Sequence, residues 1–139
     1  MKKVLLDTNV VLDFLLRREP NYIYAQTIIN EIVNGAVQGF ITASMATDIF
    51  YLLQKANNKI FALNSLSDLL IMLDVLTVYR DDVYSVLDTD WEDFEDALLA
   101  YVAIRSGMDA IVTRNIKDYQ NAKNIKIVIP HDFLQFMEE

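Results

Sequence analysis

Short apolar runs of four or five residues recur along this chain and alternate with longer segments of helical period, a pattern that few folds accept. The runs are Lys3–Leu6 (KVLL), Gly39–Thr42 (GFIT), Ala110–Thr113 (AIVT) and Ile125–Ile129 (IKIVI), with Val75–Tyr79 (VLTVY) as a fifth candidate. They lack the strict polar–apolar alternation of strands with one wet face, so they predict strands buried on both faces. Between them, Tyr22–Asn34 places Ile28, Ile29, Ile32 and Val33 at helical spacing and stops at Gly35. Ser44–Lys55 does the same through Met45, Ile49, Leu52 and Leu53. Ile60–Leu73 carries an apolar stripe of Ile60, Leu63, Leu66, Leu69, Leu70 and Leu73 behind Asn57 and Asn58. Asp93–Ser106 runs up to Gly107, and a short helix, Asp132–Met137, follows Pro130. Strands alternating with helices predict a sheet covered on both faces: a three-layer α/β/α domain with a central, mostly parallel sheet of four to five short strands. Only 3 Gly and 2 Pro leave little room for a linker, so residues 1–139 are expected to form one domain.

Several chemistries are excluded at once. With no Cys there is neither a disulfide framework nor a thiolate metal site. Asp7 and Asp13 interrupt the first apolar run, which argues against a signal peptide, and no apolar run is long enough for a bilayer, so a cytoplasmic protein without a membrane partner is expected. His131 is the single His and lies far along the chain from the acids described below, so no Ser-His-Asp or Cys-His nucleophile can be assembled. Gly35, Gly39 and Gly107 stand alone, and no glycine-rich phosphate cradle exists. The net charge of −8 speaks against a general nucleic-acid coat, whose affinity comes from Lys and Arg on phosphates.

In a parallel sheet, ligands sit beyond the carboxyl ends of the strands. Asp7 follows the first strand directly, Asp48 lies in the helix behind the second, Asp93 and Asp96 open the long helix before AIVT, and Asn115 and Asp118 follow that strand. Such a fold brings all of them to one rim, where their charges repel unless a cation sits among them. Oxygen ligands without Cys suit Mg²⁺ or Mn²⁺ rather than Zn²⁺. Each acid also has an ordinary reading: Asp93 and Asp96 as helix caps, Asn115 and Asp118 as an Asx turn, Asp48 on a helix face. Asp7 resists one best, because a carboxylate ending a buried strand needs partners. Asp13 is expected to face solvent, as are Glu92 and Glu95. Phosphate contacts are assigned to Arg17, Arg18, Lys55, Lys59, Arg114 and Lys117, each of which reads equally as a solvated surface charge. Tyr22, Tyr24, Phe50, Tyr51 and Trp91 could stack bases but fit core or interface better.

Four blocks carry a family resemblance: Leu6-Asp7-Thr8-Asn9-Val10-Val11-Leu12-Asp13, the helix Thr47-Asp48-Ile49-Phe50-Tyr51-Leu52-Leu53, Asp93-Phe94-Glu95-Asp96-Ala97-Leu98, and Ile111-Val112-Thr113-Arg114-Asn115-Ile116-Lys117-Asp118-Tyr119. In this order and spacing, ending in Pro130-His131-Asp132-Phe133-Leu134, the chain resembles PIN domains over nearly its whole length. The resemblance implies an Mg²⁺- or Mn²⁺-dependent endoribonuclease, many small bacterial members being toxins of toxin–antitoxin pairs of the VapC kind. It places Asp7, Asp48 and Asp96 at the positions of the metal-binding acids, with Asp93 accessory and Asp118 completing the catalytic set. Thr8, Asn9 and Thr113 are then donors that orient the carboxylates. Two positions depart from the pattern. Asp48 stands where many members have Glu, and Asn115 stands at the position of a fourth acid, where its carbonyl can still ligate. The resemblance also implies an RNA substrate, an antitoxin protein and a homodimer. The alternatives are a degenerate PIN scaffold that binds RNA or protein without cutting, favoured by Asn115; a haloacid-dehalogenase-like phosphotransferase, disfavoured by Asn9 where a second acid is needed; and a receiver-like domain, which lacks its paired acid.

Overall fold

The computed structural model describes all 139 residues. Five strands, β1 (Lys3–Leu6), β2 (Gln38–Thr42), β3 (Asp74–Leu76), β4 (Ala110–Val112) and β5 (Lys126–Val128), form one sheet in the order β3-β2-β1-β4-β5. Every ladder is parallel, with Leu5 of β1 opposite Phe40 of β2 and Ile111 of β4. The apolar runs are continuous because both faces of the central strands are covered: Val4, Leu5, Leu6, Ala110, Ile111 and Val112 are all fully buried. The expected three-layer α/β/α architecture is the one observed.

Seven helices surround the sheet: α1 (Thr8–Leu15), α2 (Tyr22–Val33), α3 (Ala43–Ala56), α4 (Lys59–Met72), α5 (Arg80–Leu87), α6 (Phe94–Arg105) and α7 (Phe133–Met137). The helices α2 and α6 end at Gly35 and Gly107, whose φ of +81° and +77° is the left-handed conformation a C′ glycine supplies at least cost. Helices α1 to α4 pack on one another, α5 packs on α6, and a main core of 29 buried residues lies beside a smaller cluster of Val86, Ala97, Leu98 and Val102. No helix is long and apolar enough to cross a membrane.

Three elements differ from the sequence reading. The stripe predicted for α4 faces the core only in part: Leu69 and Leu73 are buried beside Ala62 and Leu66 packs against the core, whereas Ile60, Leu63 and Leu70 are exposed. This helix packs chiefly on α3 and needs only a narrow buried strip, while its apolar residues run round the cylinder. The fifth strand candidate stops pairing at Leu76, because the Tyr79 N–H is taken by the Asp82 carboxylate at 2.8 Å to open α5. Helix α5 itself escapes a periodicity search because Val86 is its one buried apolar residue, the other buried position being Asp82.

Strand β1 is the point where the strand order turns, with β2 on one side and β4 on the other. The crevice beyond its carboxyl end is where such sheets bind ligands. Asp7 is the next residue.

Candidate active site

Asp7 ends β1 and caps α1. Its Oδ1 accepts the Thr8 N–H at 2.8 Å, its Oδ2 accepts the Thr113 hydroxyl at 2.8 Å, and its own N–H donates to Val112 O at 2.9 Å. No cation pairs with it. Burial pushes its carboxyl above the usual range, the nearby charge of Asp118 adds to that, and the Thr113 and Thr8 hydrogen bonds only partly oppose it. The Thr113 hydroxyl also accepts the Asn115 N–H at 3.1 Å, so one buried threonine holds Asp7 and the following turn together. A cavity of about 300 Å³ opens here, lined by Asp7, Asn9, Thr113, Arg114, Asn115 and Asp118. Asn115 makes no capping bond through its side chain, so the Asx turn expected as its ordinary role is not formed.

Helix α6 brings the second group. Asp93 is its N-cap and accepts the Asp96 N–H at 2.9 Å, which is the capping role foreseen for it, while Asp96 sits half-buried in the first turn. Burial raises the Asp96 carboxyl to about 6, helped by the charges of Asp93, Asp118 and Asp7. A second cavity, of about 180 Å³, is lined by Asp93, Asp96, Lys117, Asp118 and Trp91 among others, so Asp118 borders both openings. Beneath them lies Tyr119. Its hydroxyl and that of Thr8 are buried without a hydrogen-bond partner. Burial and the charges of Asp7, Asp96 and Asp118 hold the Tyr119 phenol far above its usual value, so it keeps its proton and can only help by donating.

Asp48 is exposed on α3, and its charge acts on Glu95 together with those of Asp93 and Asp96. Glu95, in the first turn of α6, is exposed, as expected of it. Partial burial, the neighbouring Asp48 carboxyl, and the charges of Asp93 and Asp96 raise the Glu95 carboxyl to about 7.

Asp13 overturns another expectation. Far from facing solvent, it is 1% exposed, with Oδ1 on Arg18 Nε at 2.9 Å and Oδ2 on Arg114 Nε at 2.8 Å. Arg18 reaches on to the backbone and side-chain oxygens of Asn9, both at 3.2 Å. Arg18 and Arg114 are therefore pinned rather than loosely solvated, and Arg114 borders the pit. Lys117 borders the second cavity, Arg17 lies over the Tyr22 ring, and Lys55 and Lys59 sit at the α3–α4 corner and line neither opening. Trp91 meets Tyr119 edge-on at 6.2 Å, Tyr22 stacks on Phe14, and Phe50 is packed against the core, while Tyr51 is exposed.

A sequence model of the PIN domain matches residues 3–117, from β1 to the turn that bears Lys117. The chain belongs to the PIN domain family. This PIN domain is 22% identical over 139 residues to ribonuclease VapC1 of Aquifex aeolicus (strain VF5), covering 96% of this chain and 94% of that protein. Among solved structures it is similar to the VapBC2 complex of Rickettsia felis bound to a promoter DNA fragment, with a TM-score of 0.71 at 18% identity over 91% of this chain and 98% of that one. DNA-bound VapBC of Salmonella typhimurium gives a TM-score of 0.70 at 18% identity, covering 94% of this PIN domain and 99% of that chain. At such identity the structural likeness establishes a common fold.

Proposed function

We propose that this PIN domain is a metal-dependent endoribonuclease that hydrolyses RNA phosphodiester bonds, and that it is the toxin of a toxin–antitoxin pair. The observation that carries the reading is the cluster of Asp7, Asp96 and Asp118 at the strand-order turn, where the charge of Asp118 raises the proton affinity of Asp7 and Asp96 and no Lys or Arg neutralises Asp7 or Asp96. A site that accumulates negative charge without a counter-ion is built to receive one. The ribonuclease name of the Aquifex relative and the toxin–antitoxin complexes among the structural neighbours support the chemistry and the pairing.

The donor set fits Mg²⁺ or Mn²⁺. All donors are oxygens, and no three acidic side chains already close on one point as a ready cage. A hydrated Mg²⁺ needs only one or two carboxylates, the remaining places being filled by water and substrate phosphate. Asp7 and Asp96 would hold the ion, with Asp118, Asn115 and Asp93 at its margin; when bound it would polarise the phosphate and make a water nucleophilic. The Thr113 O–H and Thr8 N–H fix the Asp7 carboxylate, which keeps both oxygens from rotating. Tyr119 remains a phenol and can donate toward Asp7 or Asp96. Lys117 would meet a flanking phosphate of the strand, and Arg114, locked by Asp13, would form the wall of the pit.

Exposed apolar residues supply places for protein partners: Ile60, Leu63 and Ile71 on α4, and Val83, Tyr84 and Leu87 on α5. An antitoxin and a second copy would bury such surface. The decisive experiment incubates purified protein with defined RNAs in Mg²⁺, Mn²⁺ or EDTA, beside Asp7→Asn and Asp96→Asn. Cleavage that needs the cation and both carboxylates is expected. Cleavage in EDTA, or by both variants at full rate, would sink the mechanism, and RNA binding without any cleavage would leave the degenerate scaffold.

A further inference from the structure

His131, left without a role by the acid pit, lines a cavity of about 300 Å³ on the far side of Arg114, together with Asn21, Tyr24, Ile129 and Pro130. The rings of Tyr24 and His131 meet at 5.2 Å between centroids, tilted by 56°, and both are exposed. Ile129 and Pro130 add apolar wall. Asn21 begins α2 without spending its side chain on a cap, which leaves an amide with both donor and acceptor free to address a ligand. Arg114 is common to this cleft and to the pit beside it.

We propose that this cleft is the subsite for one unpaired nucleobase of the RNA strand whose phosphate occupies the pit. The inference rests on the ribonuclease reading above. Two features select a base over a phosphate. Arg114 is the sole permanent cation of the cleft, and its charge is already committed to Asp13 at 2.8 Å; His131 has Asp132 at 3.0 Å, which repels an anion. What remains is a pair of π surfaces, an apolar wall and an amide, the combination that stacks a planar ring and reads its polar edge. The volume lies at the lower limit of small-ligand pockets, suited to a single ring system. Arg114 then stands between the two openings as a wall common to both.

The test uses single-stranded RNA of about ten nucleotides carrying 2-aminopurine at one position at a time, whose fluorescence falls on stacking, read in an Asp96→Asn background so that the strand survives. One position should be quenched, and the Tyr24→Ala/His131→Ala double variant should abolish that quench while Tyr24→Phe retains it. In the cleaving protein the double variant should raise KM roughly 5- to 100-fold with kcat little changed, as loss of base–aromatic stacking does. An abasic residue at the quenched position should weaken binding to the wild type by a similar factor and leave the double variant indifferent. Equal abasic penalties in both proteins would overturn the subsite, as would a quench that survives truncation of both rings. So would a double variant that keeps its RNA affinity but no longer binds a protein partner, since the cleft would then hold a peptide. Because both residues are exposed, unchanged melting temperatures are expected for the variants. A wild type that cuts no RNA in either metal removes the ribonuclease reading and this one with it, whereas cleavage with equal abasic penalties removes the subsite alone.

Discussion

Two aspartates six residues apart, both belonging to the first helix and its cap, have opposite surroundings. Asp13 is buried with an arginine on each oxygen. Asp7 is half-buried with only hydrogen bonds, and its neighbours are other acids. Asp82 repeats the first pattern: burial opposes its ionisation, yet two contacts from Arg105, at 2.6 and 2.9 Å, and the Tyr79 N–H hold its carboxyl below the usual range. Where an acid serves the fold, the chain supplies its counter-cation. Where it serves the pit, the counter-charge is left to come from outside, and the native state tolerates the cost.

That contrast can be broken in four ways. Asp7→Asn and Asp96→Asn should each reduce RNA cleavage on the order of a hundredfold or more, since the chemistry is assigned to their charge. Neither should lower the melting temperature of the metal-free protein, because removing a repelled carboxylate relieves the site; a large loss of stability would place Asp7 with Asp13. Saturating Mn²⁺ or Mg²⁺ should stabilise the wild type by about 2.7 kcal/mol at a hundred times the dissociation constant, read as a rise in melting temperature that both variants lose. Asp13→Asn should cost about 2 kcal/mol in denaturant titration, less than a fully buried ion pair because Arg18 and Arg114 are more than a third exposed and can hydrate. The smallest effect is on pH. In EDTA the folded protein keeps protons on Asp96 up to about 6 and on Glu95 up to about 7. The unfolded chain releases its carboxyl protons near pH 4. Their contribution is therefore complete below about pH 4 and is lost as pH rises through 6 and 7, so metal-free melting temperatures should fall over that window. Asp82 acts in the other direction and loses its contribution only as pH drops through its depressed value. Saturating metal should flatten the neutral slope, because the ion binds the ionised acids.

The layered fold was legible because burial on both faces writes strands as unbroken apolar runs, and KVLL followed at once by Asp7 marks a strand end that cannot be ordinary core. Asp13 was misread because its second arginine lies 101 residues away, a pairing no local pattern encodes. Helix α5 left no apolar stripe, since part of its buried strip is an ion pair, Asp82 with Arg105. Tyr119 stood beside Asp118 in the sequence, but its place beneath the acids depends on the 3₁₀ turn Ile116–Tyr119, which four residues of mixed character do not announce.

The first strand of the chain receives its neighbour on the β4 side only from residues 110–112, and the hydroxyl that fixes Asp7 comes from 106 positions downstream. During synthesis at about 5–20 residues per second, roughly 5–20 seconds separate the emergence of Asp7 from that of Thr113. An unfinished chain thus carries Asp7 without the threonine that fixes it, and the acid cluster is completed only once Thr113 and Asp118 have been made.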